Sequence, residues 1–181
     1  VYSEADKKTL LGKEPITRIE NESDSDYENR MVFVCRGLAE DAKKHVKGIS
    51  RVTVVLCYPW CTYEHIDLHK TFDTDTLITE RLIESLKVQK KDESILLLES
   101  EHSHVLLNGY AVEKPLRQKT REIEMQVLNI YVKASFGKAF KNVFESVFHT
   151  HHVALTSVYT YALKARPKNG LFIVIEEESV D

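Results

Sequence analysis

The sequence has few glycines, and they are not arranged to hold a phosphate. The six glycines stand at positions 12, 37, 48, 109, 137 and 170. They form neither a G-x-G-x-x-G pattern nor a Walker pattern, and phosphate loops need glycines because backbone without a Cβ can approach the ligand closely. The sequence also lacks the G-x-S-x-G elbow of serine hydrolases. It therefore contains no intact nucleotide loop and no serine elbow.

Cysteine, excess charge of one sign and long apolar runs are scarce as well. Cys35, Cys57 and Cys61 are odd in number and lack a secreted spacing, which favours reduced thiols in a cytoplasm. A net charge of −3 gives no electrostatic reason to expect nucleic acid. The apolar runs are too short for a membrane span, and the polar stretch Val1–Leu11 predicts no signal peptide. The composition indicates a globular protein with one core or two small lobes.

Apolar residues at helical spacing predict amphipathic helices. The first helix is expected to begin at a capping box formed by Ser25 and Glu28. A phenylalanine-rich stretch gives the clearest helical stripe of the sequence. Helices are expected at Tyr27–Lys47, Phe136–Val147 and around Ser157–Lys164. Another helix is expected to begin at a cap formed by Thr74 and Asp75, to carry an apolar stripe from Ile78 to Leu86, and to end in the charged stretch KVQKKDE.

Strands are predicted between these helices. The continuous apolar run Val52–Cys57 is typical of a buried, central strand, whereas Tyr63–Phe72 alternates and predicts one solvent-facing side. Two strands, SILLLES and HVLLNGY, are expected around residues 94–110, with Asn108-Gly109 as a hairpin turn. In Glu122–Val132 the apolar face switches, which predicts a bulge or burial of both faces. Together with the apolar run Leu171–Ile175, these elements predict a mixed α/β or α+β fold.

Two groups of metal-binding residue types occur. Cys57, Cys61, His65 and His69 recur every four residues, but on one helix the first and last would lie about 18 Å apart, too far for one tetrahedral ion. No zinc site is expected there. His102 and His104 share one side of a predicted strand, and with a histidine of the stretch HTHH at 149–152 they could hold zinc with an open position. These histidines are either surface residues or the site of a small metal-dependent hydrolase.

The order of the segments resembles a known family. RVTVVLCYPW is followed by a β-α-β-β stretch containing VLLNGYAVEKP, then by a strand, a phenylalanine-rich helix, VALTSVYTYAL and LFIVIEEESVD. This order resembles the first lobe of FtsA and PilM, actin-like proteins of bacterial division and type IV pilus assembly. The resemblance implies an actin-like (ribonuclease H-like) subdomain from residues 1–60 and 151–181, with an SHS2-type domain inserted at 61–150.

The resemblance also implies a second phosphate loop after the last strand, of the form D-I-G-G-x-x-[ST]-D. On this sequence Val174 replaces the leading aspartate, Glu176 and Glu177 replace the two glycines, and Asp181 matches the final aspartate. Two adjacent carboxylates add bulk and repel a phosphate. ATP binding or hydrolysis by these residues is therefore not expected, and neither catalytic residues, a cofactor nor a bound metal are expected.

The resemblance implies a non-catalytic interaction or assembly module whose inserted domain contacts protein partners or a second copy of the chain. The expected location is cytoplasmic, or at the inner face of the cell membrane through partners rather than by direct insertion. The division and pilus branches both remain open. The partner-binding residues that the resemblance indicates are Asn108, Gly109, Tyr110, Pro115, Arg117 and Arg121.

Overall fold

A computed structural model describes residues 2–3, 9–10, 14, 16–46, 48–87, 92–163 and 171–175. These residues form a mixed α and β fold with parallel and antiparallel strands, as the sequence predicts at that level. In chain order the elements are β1 (Tyr2–Ser3), β2 (Thr9–Leu10), α1 (Asp24–His45), β3 (Val52–Leu56), β4 (Thr62–Leu77), α2 (Glu80–Lys87), β5 (Ile95–Leu107), β6 (Tyr110–Ala111), β7 (Lys119–Lys133), α3 (Ala134–Phe148), β8 (Val153–Ser157), α4 (Val158–Leu163) and β9 (Leu171–Ile175).

The chain divides into two compact units. The first contains Val1–Cys61, Ser94–Leu96 and Val132–Asp181, and the second contains Thr62–Glu93 and Leu97–Tyr131. The second unit thus lies, in chain order, between β3 and β8 of the first. Residues 134–148 fall inside the sequence-based insert of 61–150, but they form α3, which belongs to the first unit.

A five-stranded sheet in the order β2-β1-β9-β3-β8 forms the centre of the first unit. β3 runs parallel to both neighbours, with Val54 beside Leu155 on one side and Ile173 on the other, and β1 is antiparallel to β9. All five residues of β3 are buried. A strand that is buried on both faces needs a continuous apolar run, which explains why its sequence does not alternate.

Helix α1 begins at Asp24, three residues before the predicted start at Tyr27. Its N-cap is Ser23, whose side chain accepts a hydrogen bond from Asp26 N (3.1 Å). The prediction of a capping box at Ser25 and Glu28 is wrong, because both residues already lie inside the helix. Acidic residues in the first turn and basic residues in the last turn both suit the helix dipole.

Helix α3 supplies the aromatic core of the first unit. Phe136 stacks on Trp60 with ring centroids 4.7 Å apart, and Phe140 meets Phe136 edge-on at 4.4 Å. Phe140 and Phe144 are fully buried. Gly137 permits close packing, since a Cβ at this position would lie 3.1 Å from Val132 Cγ1. The stripe predicted for this helix is therefore confirmed.

The second unit is a four-stranded sheet in the order β4-β7-β5-β6 with helix α2. The predicted helix cap at Thr74 and Asp75 is wrong, because both residues lie in β4 and α2 begins only at Glu80. β4 and β7 are antiparallel, with Leu68 beside Met125, and their pairing shifts between Thr71 and Thr76. The core consists of buried residues from α2 and the three long strands, together with Ile78, which precedes α2: Leu68, Ile78, Ile83, Val105, Leu107, Ile123, Met125 and Val127.

A buried polar chain lies beyond one end of this core. Ser100 Oγ donates to Asn129 Oδ1 (2.6 Å), Asn129 Nδ2 donates to the Tyr131 hydroxyl (3.1 Å), and that hydroxyl donates to Glu64 Oε2 (3.1 Å). Ile130 and Tyr131 are both buried although they alternate between faces, so burial of both faces, and not a bulge in β7, explains the apolar switch.

Three further features differ from the sequence-based expectations or lie beyond the described residues. Residues 95–107 form one strand rather than two, and β8 was not predicted as a strand. Residues 164–170 and the acidic segment Glu176–Asp181 lie outside the described residues. None of the helices among the described residues is long and apolar enough to cross a membrane.

Candidate partner-binding surface

The predicted Asn108-Gly109 turn is confirmed. It joins β5 to β6, with Leu107 paired to Tyr110 across the hairpin. Both turn residues have positive φ, 50° at Asn108 and 78° at Gly109. Two successive positive φ values match the twist of the flanking strands, and asparagine followed by glycine is the pair that adopts them at least cost. The turn is therefore a defined structure and presents Tyr110 in a fixed position.

The side chain of Asn108 ties this turn to β7. Its Oδ1 accepts hydrogen bonds from the Thr120 hydroxyl (2.9 Å) and from Arg121 N (3.1 Å). Its backbone N donates to Glu122 O (3.0 Å), and Thr120 is itself buried. Asn108 uses its side chain inside the unit, so its role at the surface is to position the turn.

The segment between β6 and β7 folds against the end of β4. Arg117 has a φ of 68°, and its backbone N donates to Ile78 O (2.9 Å). Ile78 N in turn donates to Gln118 O (2.8 Å). Pro115 is buried. These contacts bring the turn and the basic segment Arg117–Arg121 to one end of the sheet. We call this end the hairpin end and define it as residues 75–78 and 107–121.

Three apolar side chains are exposed at the hairpin end. Tyr110 is 77% exposed, Leu77 47% and Leu116 41%. Isolated exposed apolar residues are common, but several on one rigid end are typical of a contact surface. Leu77 and Leu116 were not expected to take part. Leu77 follows a mostly polar stretch of β4, so its sequence neighbours do not mark it as part of a surface. Its neighbours in the fold are known only from the pairing of β4 with β7.

Positive charge is in excess at the same end. Arg121 Nε donates to Asp75 Oδ1 (2.8 Å), so this cation is paired within the unit. Lys114, Arg117 and Lys119 are exposed, and within the described part of the chain their side-chain cations form no ion pair. Tyrosine and arginine are the side chains most often found at the energetic centre of protein interfaces. The hairpin end therefore suits a protein partner with an acidic contact region.

The alternative His-x-His metal site is not assembled. His102 and His104 are exposed, and His104 has a φ of 47°, which breaks the regular alternation of β5. Partial desolvation by neighbouring residues, followed by the nearby Lys87 ammonium, lowers the pKa of His102. Among the residues that the structure describes, neither histidine comes together with two other metal-binding side chains. The same holds for Cys57, Cys61 and His65.

The segment matched to a phosphate loop begins at the end of β9. Val174 lies on this strand and is 41% exposed, and no carboxylate stands at that position. Glu176, Glu177 and Asp181 lie outside the described residues. No known protein-family model matches the chain, and a search of curated proteins finds no match either.

Proposed function

We propose that the chain is a non-catalytic interaction or assembly module, related to the first lobe of FtsA and PilM. It acts in bacterial division or type IV pilus assembly, from the cytoplasm at the inner face of the cell membrane. Its second unit binds a protein partner or another copy of the chain.

The topology of the first unit supports this relationship. In its sheet β9, β3 and β8 are parallel, and β1 is antiparallel to both β2 and β9. A compact unit of strands and one helix is inserted after β3, where the resemblance implies an SHS2-type insert. This arrangement is the reason to prefer the actin-like relationship over another mixed fold.

The hairpin end is the proposed binding surface of the second unit. It combines exposed Tyr110 with the cation of Arg117, which forms no ion pair with any residue that the structure describes, on a backbone fixed by hydrogen bonds to Asn108 and Ile78. A rigid surface loses little conformational entropy on binding. Because Lys114 lies on the same loop as Arg117 and Lys119 begins β7 directly after it, we expect the partner to present acidic residues around an apolar centre.

The test compares the wild-type chain with the variant Tyr110→Ala/Arg117→Asn. Asparagine tolerates the positive φ of position 117, so this change removes the charge without adding backbone strain. Sedimentation velocity measures self-association, and a tagged chain measures retention of proteins from a solubilised bacterial membrane fraction. Loss of two interface anchors should weaken binding by about 30-fold or more, equivalent to roughly 2 kcal/mol.

The control is Phe33→Ala, which removes another exposed aromatic ring, 74% exposed on α1 of the first unit. This variant should self-associate and retain partners as the wild type does. Both variants should keep the wild-type melting temperature, because none of the three replaced side chains is buried. If the hairpin variant binds as well as the wild type in both assays, the proposal is refuted.

A further inference from the structure

A histidine and two glutamates meet on the outer face of the β4–β7 pair. His69 lies directly opposite Glu124, and Glu122 is two residues from Glu124 on the same strand. Side chains alternate along a strand, so Glu122 and Glu124 share the face opposite to the buried Ile123 and Met125. His69 likewise alternates with buried Leu68. All three side chains therefore project from one face, on two long paired strands.

Their donor atoms are close enough to contact one ion. One potential ligand atom from each side chain lies within 4.8 Å of the others, and His69 Nε2 is 2.5 Å from Glu122 Oε1. Bonds of about 2.1 Å to a tetrahedral ion would separate these atoms by about 3.4 Å. Side-chain rotations suffice to reach that arrangement, because the backbone positions are already set by the strand pairing.

The local charge also favours a cation. Glu122 and Glu124 are half-buried and close together, so their negative charges repel each other. Among the described residues the Glu124 carboxylate makes no hydrogen bond or ion pair, and the nearest basic residue on the strand, Arg121, is bonded to Asp75. Lys70 adjoins His69 but alternates to the other face. A bound dication would compensate both carboxylates.

We propose that His69, Glu122 and Glu124 bind one divalent transition-metal ion, with Zn²⁺ the best fit. One imidazole nitrogen and two carboxylate oxygens suit zinc, whereas calcium and magnesium prefer oxygen ligands throughout. Three protein ligands leave a fourth position open to water, because His69 is exposed to solvent. The ion links the edge strand β4 to β7, next to the register shift that starts at Thr71. This site is independent of the proposed function.

The experiment uses the full chain without a histidine tag, stripped with EDTA and titrated with zinc chloride by isothermal calorimetry. We expect one zinc ion to bind at this site with a dissociation constant of about 1 to 10 μM. His69→Gln and Glu124→Gln should each weaken that binding at least 10-fold, because each removes one ligand of the metal. The fold should persist, because outward-facing positions on a strand tolerate glutamine. Millimolar Mg²⁺ should not displace the zinc.

The matched control is His65→Gln. His65 is exposed on the same strand and face but lies opposite Leu128, so it has no carboxylate across the pair. Its loss should leave the zinc affinity unchanged. Amide resonances in an NMR spectrum with Co²⁺ should broaden around positions 69, 122 and 124. The proposal is overturned if His69→Gln and Glu124→Gln bind zinc as tightly as the wild type, or if Co²⁺ broadens other regions instead.

Discussion

Phe140 provides the sharpest test of the core of the first unit. Its side chain is fully buried, in edge-on contact with Phe136 and with its ring centroid 6.0 Å from that of Phe144. Phe140→Ala removes the whole ring and leaves a cavity, which costs about 3–5 kcal/mol of unfolding free energy. Because the first unit has about 110 residues, that loss should lower the melting temperature of its transition by roughly 12–20 °C.

Differential scanning calorimetry measures this change, and the transition to follow is that of the first unit, because two compact units need not unfold together. Phe33→Ala is the matched control, since Phe33 is a phenylalanine on α1 that is 74% exposed. Its effect should stay within about 0.5 kcal/mol. Equal shifts for the two variants would refute the assignment of α3 to the core.

Three other predictions follow from local geometry and charge. Gly37→Ala should stabilise the protein by up to about 1 kcal/mol, because Gly37 lies in α1 with open space around it. Gly109→Ala should destabilise it by about 1 kcal/mol, because the backbone at Gly109 has a positive φ. Denaturant unfolding would show two shifts of opposite sign. A hydrogen bond from Arg30 lowers the pKa of Glu22 from 4.5 to about 2. This pair therefore stabilises the fold above about pH 4.5 and loses its effect as the pH falls towards 2; carboxyl NMR should show that low midpoint, and Arg30→Gln should raise it. Burial raises the pKa of the Cys35 thiol to about 12, so iodoacetamide at pH 8 should modify it only after unfolding, and rapid labelling of the folded protein would contradict this.

Local sequence patterns predicted the elements whose sequence signal lies within one short segment. The phenylalanine stripe of α3, the buried run of β3 and the Asn108-Gly109 turn each contain enough signal within a short segment. The start of α1 was misplaced because two serines, Ser23 and Ser25, are each followed three residues later by an acid. Only the hydrogen bond from Asp26 N identifies which serine is the cap.

Features that depend on strand pairing could not be predicted in this way. β5 continues through the polar residues Glu101 to His104, although their composition suggested a break between two strands. β8 is short and contains Thr156 and Ser157, so its strand conformation depends on pairing with β3. The group of His69, Glu122 and Glu124 joins residues more than fifty positions apart, and only the register of β4 against β7 brings them together.

The most direct test of the proposed module is whether Tyr110 touches another protein molecule in the cell. The photoreactive amino acid p-benzoylphenylalanine is placed at Tyr110 or, as a control, at Phe33 of the full chain produced in bacteria. Both positions are about equally exposed, at 77% and 74%. We expect a discrete crosslinked species, in which the chain is joined to a partner or to a second copy, only when the photoreactive residue replaces Tyr110. Crosslinking from Tyr110 that is no stronger than from Phe33 would contradict it.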